Sequence, residues 1–408
     1  MNDETLLEAN SVAVLSDTHL AAGNCVLDLK HEDGMGGLTR FLQENRIDVD
    51  VFILMGDIFD LALATYAETV PRVQRLVEVL ANHCRRIVYV PGNHDHHMWL
   101  LANEGNEIAQ PFPKCPKDFP PRTERSYEDS FLSKISSKVP FSVSYPNVYF
   151  RPRKGGGRTF VFHHGHFCED TYTLVSDIYR AGFDGVISSL DGLESLNAGW
   201  VEMVWYHLGQ SGVGIGAGGF VESLYNQIRE GDTRKLEQGI RQLYATKVGP
   251  IVYTWLMELS NHHWYIAKWM AEWATKIANR VVPNLICGAI KRSVVSHVED
   301  TSLGGSALRG AALDEMLAAS CRKYLKLTAA SRIDLADGKL SLIFGHTHRF
   351  GVWPTAHPTI FNDGGWITDD PDKDWPDAFV FVVDDAATVR ALQFGKDGAT
   401  LNTFEYSQ

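Results

Sequence analysis

The segment "VYVPGNHDHHMWLL", residues 88–101, joins an apolar run to a dense group of polar side chains. The apolar run ends at Pro91 and Gly92, and a short apolar run closed by Pro-Gly predicts a buried strand that stops at a turn. Asn93, His94 and Asp95 follow at once. Side chains that can bind a metal at the end of a core strand leave two interpretations open, a solvated loop or a metal site.

Four other segments repeat this pattern of a short β-rich apolar run that ends in polar residues. They are "SVAVLSDTH" (11–19), "VDVFILMGDIFD" (49–60), "TFVFHHGH" (159–166) and "LSLIFGHTH" (340–348). Helical patterns at 37–46 and 70–84 lie between the first three strands of the chain. Alternating strands and amphipathic helices predict an α/β sheet, and ligands of such sheets bind beyond the carboxyl ends of the strands. The polar groups fall at those ends.

Additional strands are predicted from two other parts of the chain. The segment "NVYFRPRKGGGRTFVF" (147–162) predicts two strands joined by a Gly-rich hairpin turn. Three C-terminal segments predict strands that close a second sheet: "TIFNDGGW" (359–366), "DAFVFVVDD" (377–385) and "TVRALQF" (388–394).

The composition limits the cellular setting and the partners of the protein. The 408 residues are 45% hydrophobic and 22% charged, and the net charge is -12. This acidic balance argues against a nucleic-acid backbone as a partner. The six cysteines are widely spaced and form no C-x-x-C pair, which is typical of a reduced, cytoplasmic protein. The acidic first residues do not resemble a signal peptide, and no apolar run long enough for a transmembrane helix is present.

The interval 167–335 differs from the rest and is interpreted as a Trp-rich helical insertion, a cap or lid, between core segments 1–166 and 336–408. It contains six of the ten tryptophans: Trp200, Trp205, Trp255, Trp264, Trp269 and Trp273. Helix-spaced aromatic residues usually face a core, so a helical bundle is the simplest interpretation. An apolar pocket or peripheral contact with a membrane is the alternative. The segment "PFPKCPKDFPP" (111–121) is interpreted as a surface loop, and "GVGIGAGG" (212–219) as a flexible hinge or a tight helix contact.

The five strand ends together predict a metal site. In "DTH" and "HTH" the polar residues are two positions apart, so that on an extended segment both side chains lie on the same face. Imidazole and carboxylate ligands together suit divalent ions such as Mn, Fe and Zn. A single pair of this kind is common by chance, whereas five on neighbouring strands are not.

The motifs resemble, in kind and order, those of the calcineurin-like metallophosphoesterases. They are D-x-H (17–19), G-D-x-x-D (56–60), G-N-H-D (92–95), H-G (164–165) and G-H-x-H (345–348). The resemblance implies an α/β fold, a four-layer αββα sandwich, with two divalent ions at the strand ends. Mn is the favoured ion, and Fe or Zn are the alternatives. It implies that one ion is held by Asp17, His19, Asp57 and His348, and the other by Asp57, Asn93, His164 and His346, with Asp57 bridging.

Two further residues receive a catalytic role. His94 is expected to stabilise the phosphoryl oxygens or to protonate the leaving group, and Asp95 to orient its ring. Asp60 is expected to orient a ligand or to cap the following helix. In "HHGH" the family pattern selects His164, so that His163 should point to the opposite face of the sheet.

The expected function is hydrolysis of a phosphomonoester or phosphodiester by attack of a metal-activated hydroxide. The substrate is a phosphate ester, with lipid-linked and nucleotide-linked compounds as candidates. The place of the insertion, directly after the H-G motif, resembles the UDP-2,3-diacylglucosamine pyrophosphatase branch, which makes a lipid-precursor hydrolase the alternative. A non-catalytic metal-binding scaffold is the third hypothesis, and it predicts missing ligands, whereas all seven positions carry the expected residue types.

Overall fold

The structure is a computed structural model, and most of the chain outside the predicted insertion is described. The described residues are 5–28, 34–109, 125–128, 131–173, 175–176, 179–180, 186–207, 311–332, 335, 339–353, 359–368 and 370–407, with isolated positions 234, 238, 241–242, 276 and 284. The expectations for the loop 111–121, the segment 212–219 and Trp255, Trp264, Trp269 and Trp273 fall outside these residues.

An eight-stranded mixed sheet contains the first predicted strands. Its order is β14-β13-β12-β2-β3-β4-β6-β5, and β2, β3, β4 and β6 run parallel to one another. The strands are β2 (Val12–Leu15), β3 (Val49–Leu54), β4 (Cys84–Tyr89), β5 (Arg125–Tyr127), β6 (Phe141–Tyr145), β12 (Phe379–Val383), β13 (Val389–Phe394) and β14 (Thr400–Tyr406). Parallel β2, β3 and β4 end at the same edge of the sheet, which brings the residues that follow them together.

A six-stranded sheet contains the remaining strands in the order β1-β7-β8-β9-β11-β10. They are β1 (Leu6–Leu7), β7 (Val148–Phe150), β8 (Arg158–Phe162), β9 (Lys339–Phe344), β10 (Phe350–Trp353) and β11 (Ile360–Asp363). The predicted hairpin is confirmed, since β7 pairs antiparallel with β8. Parallel β8 and β9 end side by side, so the H-G and G-H-x-H motifs are neighbours.

One prediction about the C-terminal strands is wrong in part. Only the strand of the segment 359–366, β11, belongs to the second sheet, where it pairs with β9. Strands β12 and β13 extend the first sheet, because β12 pairs antiparallel with β2 over Val12–Val14. An apolar strand buried on both faces can fit either sheet, and its sequence alone does not identify its partner.

Two hydrophobic cores hold the layers together. Alternate residues of a strand point to opposite faces of the sheet. In β2, Val12 and Val14 face the six-stranded sheet, while Ala13 and Leu15 face the helices on the other side. The core between the sheets also contains Val51, Ile53, Val88, Phe150, Phe160, Phe162, Ile343, Phe361 and Phe381. This burial on both faces explains why the strands are almost entirely apolar.

Helices cover the outer faces of both sheets. The described helices are α1 (Gly34–Glu44), α2 (Tyr66–Leu80), α3 (His96–Ala109), α4 (Leu190–Val201), which continues as a π-helical turn over Glu202–His207, and α5 (Ala311–Ser331). Leu38 and Phe41 of α1 and Leu76 of α2 join the core outside the eight-stranded sheet. Helix α5 lies over the six-stranded sheet, where the Tyr324 hydroxyl donates to Asn147 Oδ1 at 2.9 Å. The predicted two-sheet α/β sandwich is thus confirmed.

The chain divides into two compact units, residues 1–221 with 300–408, and residues 222–299. Helices α4 and α5 belong to the first unit. The second unit is described only at isolated helical positions, where Arg241 donates to Asn284 Oδ1 at 2.7 Å. The predicted insertion, residues 167–335, spans parts of both units, and its role as a cap stays a prediction. Among the helices described, none is both long enough and apolar enough to cross a bilayer.

Candidate metal centre

Five loops at the ends of β2, β3, β4, β8 and β9 converge on one buried site. They bring together all seven side chains that the motifs predict as ligands: Asp17, His19, Asp57, Asn93, His164, His346 and His348. His346 and His348, the most accessible of them, are each only 8% exposed. Both sheets contribute, because β2, β3 and β4 belong to the eight-stranded sheet and β8 and β9 to the six-stranded sheet.

Five of these seven residues have a left-handed backbone, which non-glycine residues rarely adopt. Their φ angles are 53° at Asp17, 43° at His19, 51° at Asp57, 70° at His346 and 53° at His348. Each such residue costs of order 1–3 kcal/mol, and strain of this kind concentrates at functional sites. The loops therefore turn sharply at the points where these side chains enter the site.

Asp17, His19 and His348 form one possible ligand set, with one donor atom of each within 4.8 Å of the others. His348 Nε2 lies 3.2 Å from Asp17 Oδ1 and 3.1 Å from His19 Nε2. His19 Nδ1 lies 3.0 Å from Asp60 Oδ2, so this nitrogen is the proton donor of the pair. Burial lowers the pKa of His19 more than Asp60 raises it, and the neutral ring presents the Nε2 lone pair to the site.

Asp57, His164 and His346 form a second possible set within the same distance limit. His164 Nδ1 donates to the Met55 carbonyl at 3.1 Å, and since a carbonyl can only accept, Nδ1 carries a proton. His164 Nε2 lies 3.0 Å from Asn93 Oδ1 and 3.2 Å from Asp57 Oδ2. Asp57 Oδ2 is also 3.7 Å from His19 Nε2, so this carboxylate borders both sets.

The donor chemistry of both sets fits divalent ions. Asp57 Oδ2 and Asn93 Oδ1 both face His164 Nε2, and all three atoms carry lone pairs when this nitrogen has no proton. Either a second proton on the His164 ring or a bound cation would supply the missing partner. Without a cation, burial disfavours the charged ring, but Asp57 and Asp17 outweigh this and raise the pKa of His164 to about 10. A mixture of imidazole nitrogen and carboxylate oxygen suits Mn, Fe or Zn.

Asp57 remains ionised in this environment. Burial alone would raise its pKa, yet the attraction of His164 and His94 holds the pKa well below its ordinary value. The His94 backbone N–H also donates to Asp57 Oδ1 at 2.9 Å. A carboxylate that stays charged in a buried site is suited to compensate the charge of cations.

His94 forms a third possible set with His19 and Asp57, one residue from each of the other two sets, and its ring is held by Asp60. His94 Nδ1 is 3.2 Å from Asp60 Oδ1, while the other Asp60 oxygen contacts His19. Asp60 also accepts from the Ala62 and Leu63 backbone N–H groups at 3.1 Å each. Asp60 therefore orients two histidines and caps the turn that follows, in line with the expectation for this residue.

Asp95 makes different contacts from those expected. Its carboxylate accepts backbone N–H groups of Gly92 at 2.6 Å, Ile58 at 2.9 Å and Phe59 at 3.2 Å. Burial and the charge of Asp57 raise the pKa of Asp95 to about 6. Asp95 thus ties the loop after β4 to the loop after β3, and the carboxylate that hydrogen-bonds His94 Nδ1 is that of Asp60.

Three glycines leave room for the site side chains. A Cβ at Gly92 would lie against the Asp57 carboxylate and 2.8 Å from His164 Cδ2. A Cβ at Gly56, where φ is 84°, would enter the His164 ring, and one at Gly345 would enter the Asp17 carboxylate. These positions explain the glycines of G-D, G-N-H-D and G-H-x-H by close approach of backbone to ligands.

The other histidines of the motifs lie beside the site. His163 accepts from the Gly165 backbone N–H at 2.8 Å, and its ring packs 4.4 Å from that of Tyr324, on the side away from the centre, as expected. The fully buried His166 has Nε2 3.2 Å from the Tyr145 hydroxyl. His96 and His97, which directly follow the G-N-H-D motif, are paired with Glu202.

Several contacts of the centre were not anticipated from the sequence. Asn93 Nδ2 donates to the Tyr172 hydroxyl at 3.1 Å, and His346 Nε2 lies 2.8 Å from Glu169 Oε2. The ring of Trp205 stacks on that of His94 with centroids 4.3 Å apart. All three residues lie in the predicted insertion, and no sequence motif marks them.

Residues 11–207 match the sequence model of the calcineurin-like phosphoesterase family. This match confirms the resemblance seen in the motifs. The matched segment includes five predicted ligands, whereas His346 and His348 lie beyond it. The family assignment makes a phosphate ester the class of compound to consider.

Two solved structures are similar to the chain. One is Vacuolar Protein Sorting 29 from Cryptosporidium parvum, with 10% identity, coverage of 98% of this chain and 99% of that chain, and a TM-score of 0.32. The other is a dimetal phosphatase from Danio rerio, with 12% identity, coverage of 97% and 98%, and a TM-score of 0.33. At these TM-scores neither likeness bears on the chemistry of the site. No curated protein matches the chain.

Proposed function

We propose that the protein is a hydrolase of phosphomonoesters or phosphodiesters that uses two divalent ions, with Mn favoured. The observation that supports this most is the convergence of the seven side chains in two sets that meet at Asp57. Asp17, His19 and His348 would hold one ion, and Asn93, His164 and His346 the other. Asp57 would contact both.

Bound ions would lower the pKa of a water molecule and polarise the phosphoryl oxygens. The residues of the chain supply the remaining functions. His94 stands at the edge of both sets, where its ring can hydrogen-bond a phosphoryl oxygen or give a proton to the leaving group. Asp60 holds this ring through Nδ1. Burial alone lowers the pKa of His94, but the charges of Asp60 and Asp57 outweigh it and raise the pKa above its ordinary value.

Hydrolysis of bis-p-nitrophenyl phosphate with added Mn²⁺ tests the proposal. We expect Asp57→Asn to abolish turnover and to reduce the bound Mn²⁺ from two ions per chain, measured by calorimetry. Asp50→Asn is the matched control, because it makes the same change near the opposite end of β3 and should retain both properties. Two bound ions without turnover in the wild type would favour the scaffold hypothesis. A wild type that binds no ions would exclude both the hydrolase and the metal-binding scaffold.

A cavity next to the centre favours a lipid-linked substrate as a second candidate. It has a volume of about 340 Å³ and lies between the turn His166–Cys168, α4 and α5. Phe167, Leu193, Tyr324 and Leu327 give it apolar walls, and its basic side chains are Arg180, Lys323 and Lys326. The described lining contains no carboxylate, although the chain as a whole is acidic. This combination suits an anionic compound with an apolar chain, such as UDP-2,3-diacylglucosamine.

The two candidates differ in how substitutions in the cavity affect different substrates. Leu327→Trp would fill the cavity, and we expect it to raise KM for UDP-2,3-diacylglucosamine about 10-fold or more while hydrolysis of bis-p-nitrophenyl phosphate is unchanged. Leu401→Trp, at an exposed position of β14, is the control. Equal kinetics of Leu327→Trp and the wild type on the lipid substrate would exclude the cavity from substrate binding.

A further inference from the structure

Three side chains from the segment that follows the H-G motif each contact a different residue of the centre. Glu169 contacts His346, Tyr172 contacts Asn93, and Trp205 contacts His94. We propose that these three are positioning residues that complete the centre, an inference that rests on the proposed function. The first part of the predicted insertion is then a wall of the active centre.

Glu169 holds one nitrogen of a predicted ligand. His346 Nε2 lies 2.8 Å from Glu169 Oε2, and His346 belongs to the set of Asp57 and His164. Since Nε2 is taken by Glu169, Nδ1 is the nitrogen that would bind the ion. A carboxylate on the second ring nitrogen fixes the ring and increases the basicity of the binding nitrogen. Glu169 is about a quarter exposed, so it stands at the open side of the centre.

Tyr172 determines which end of the Asn93 amide faces the centre. The amide NH₂ donates to the Tyr172 hydroxyl, which directs the Asn93 oxygen toward His164 Nε2, 3.0 Å away. A rotated amide would present hydrogens to the ion instead of an oxygen. The Tyr172 ring also contacts His346 edge-on, with centroids 5.1 Å apart. One residue thereby braces both Asn93 and His346.

Trp205 covers the ring of His94. The two rings are inclined by 27° and the His94 side chain is fully buried. The π-helical turn that carries Trp205 is itself fixed, because Glu202 Oε1 lies 2.6 Å from His96 Nδ1 and Glu202 Oε2 lies 2.9 Å from His97 Nδ1. Tyr206 stacks on His97 with centroids 3.5 Å apart. Trp205 thus restricts the directions in which the His94 ring can turn.

The three residues should affect different measurements. Glu169 and Tyr172 contact His346 and Asn93, which are ligands of the second ion. Their loss should therefore weaken the binding of the second ion and leave the affinity for the first ion unchanged. Trp205 stacks on the proposed proton donor at 4.3 Å and lies farther from Tyr172, with ring centroids 6.3 Å apart, so its loss should chiefly lower kcat and leave both ions bound. A general packing defect would instead lower the melting temperature and weaken both ions to the same extent.

The test is calorimetric titration of the full-length chain with Mn²⁺, together with electron paramagnetic resonance and kinetics on bis-p-nitrophenyl phosphate. We expect Tyr172→Phe and Glu169→Gln to lower the affinity for the second ion about 10–100-fold. At intermediate Mn²⁺ these variants should show the signal of isolated Mn²⁺ where the wild type shows a spin-coupled pair. Trp205→Leu should reduce kcat roughly 10- to 100-fold with unchanged ion affinities, and Trp205→Phe should restore part of the activity.

Matched controls separate positioning from folding. Tyr127→Phe likewise removes a tyrosine hydroxyl that is hydrogen-bonded to an asparagine, here as the donor to Asn103 Oδ1, and neither residue belongs to a ligand set. Glu44→Gln changes an exposed glutamate of α1. Both should bind two ions as the wild type does. Unchanged second-ion affinity in Tyr172→Phe and Glu169→Gln, or equal weakening of both ions, would overturn the inference. A wild type that binds no ions would instead refute the proposed function.

Discussion

Asp60 and Asp95 are both buried carboxylates near His94, yet their partners differ. Asp60 contacts ring nitrogens of His19 and His94, whereas Asp95 accepts backbone N–H groups of two loops. The orientation of a ring affects chemistry, and the shape of a loop affects folding. The two residues should therefore separate activity from stability when they are substituted.

We expect Asp60→Asn to lower kcat and Asp95→Asn to lower stability. An asparagine at position 60 has one acceptor oxygen in place of two, so one histidine loses its partner and turnover should fall about 10–100-fold. An asparagine at position 95 places an NH₂ group against backbone N–H donors, which should cost about 1–3 kcal/mol of unfolding free energy. Steady-state kinetics and urea unfolding measure the two effects. The assignment fails if Asp95→Asn folds as stably as the wild type but is inactive.

Gly92→Ala should disrupt the centre through a single methyl group. The new Cβ would overlap the Asp57 carboxylate, and the rigid loop would have to move. Because overpacking costs about 1–3 kcal/mol, we expect a lower melting temperature together with weakened Mn²⁺ binding. Gly105→Ala is the control, since a Cβ there meets nothing within 4 Å, and an alanine in helix α3 should be neutral or stabilising. Normal Mn²⁺ binding by Gly92→Ala would contradict the packing argument.

At the scale of elements, α3 and α4 are joined by buried charges. His96, in the first turn of α3, contacts Glu194 of α4 at 3.0 Å and Glu202 at 2.6 Å. Burial alone lowers the pKa of His96, but the two glutamates outweigh it and raise the pKa to about 9. Burial raises the pKa of Glu202, while His96 and His97 lower it to about 2. The ion pair therefore holds the turn that carries Trp205 against the loop of His94.

This pair makes a defined contribution to the pH dependence of stability. The pKa of His96 is higher in the folded chain than the ordinary 6.5, so its contribution is complete below pH 6.5 and is lost as the pH rises through 9. The contribution of Glu202 to stability is present above pH 4.5 and is lost as the pH falls toward 2. We expect the difference in unfolding free energy between the wild type and His96→Gln to shrink by on the order of 2–3 kcal/mol between pH 6.5 and 9.

Urea unfolding at several pH values measures this difference. His207→Gln, at an exposed position two residues after Trp205, is the control and should follow the wild type throughout. A constant difference between the wild type and His96→Gln from pH 6.5 to 9 would mean that the ring is uncharged in the folded protein.

At the scale of the whole molecule, the centre is shared by two sheets. Asp17, Asp57 and Asn93 follow strands of the eight-stranded sheet, while His164, His346 and His348 follow strands of the six-stranded sheet. The apolar core between the sheets joins them along their faces. Ions held by both groups of ligands would join them at one edge as well, and binding would be linked to the stability of the sandwich.

Removal of divalent ions should therefore lower the melting temperature. An ion that binds only the folded chain stabilises it by about 2.7 kcal/mol when its free concentration is 100 times Kd. We expect excess Mn²⁺ to raise the melting temperature by several degrees over that in EDTA, as measured by scanning calorimetry. Asp57→Asn should lose this difference and Asp50→Asn should keep it. The same melting temperature for the wild type with Mn²⁺ and with EDTA would contradict the linkage.

The sequence predicted the two-sheet α/β fold and the meeting of the strand ends, because both follow from local patterns. The end of an apolar run locates a residue such as Asp57 or Asn93, and parallel pairing brings such residues together without further information. The position of His163 could be predicted in the same way, from its neighbour His164 and the alternation of a strand. The roles of the ligands stay predictions.

Other features depend on contacts between distant segments, which local patterns do not report. Glu169, Tyr172 and Trp205 reach the centre only because a helical segment packs against it. Asp95 is the neighbour of His94 in sequence and Asp60 is 34 positions away, yet Asp60 contacts the His94 ring, which only the three-dimensional course of the loops reveals. The sheet to which β12 belongs was missed for the same reason, since pairing with β2 joins residues more than 360 positions apart.

The split of the centre between early and late parts of the chain has a consequence during synthesis. Asp17, Asp57 and Asn93 leave the ribosome well before His346 and His348, which come about 250 residues later. At about 5–20 residues per second, this interval lasts about 12–50 s. Throughout it neither ligand set is complete, because one lacks His348 and the other lacks His346, so the nascent chain could not bind either ion with all of its ligands until these two histidines are made.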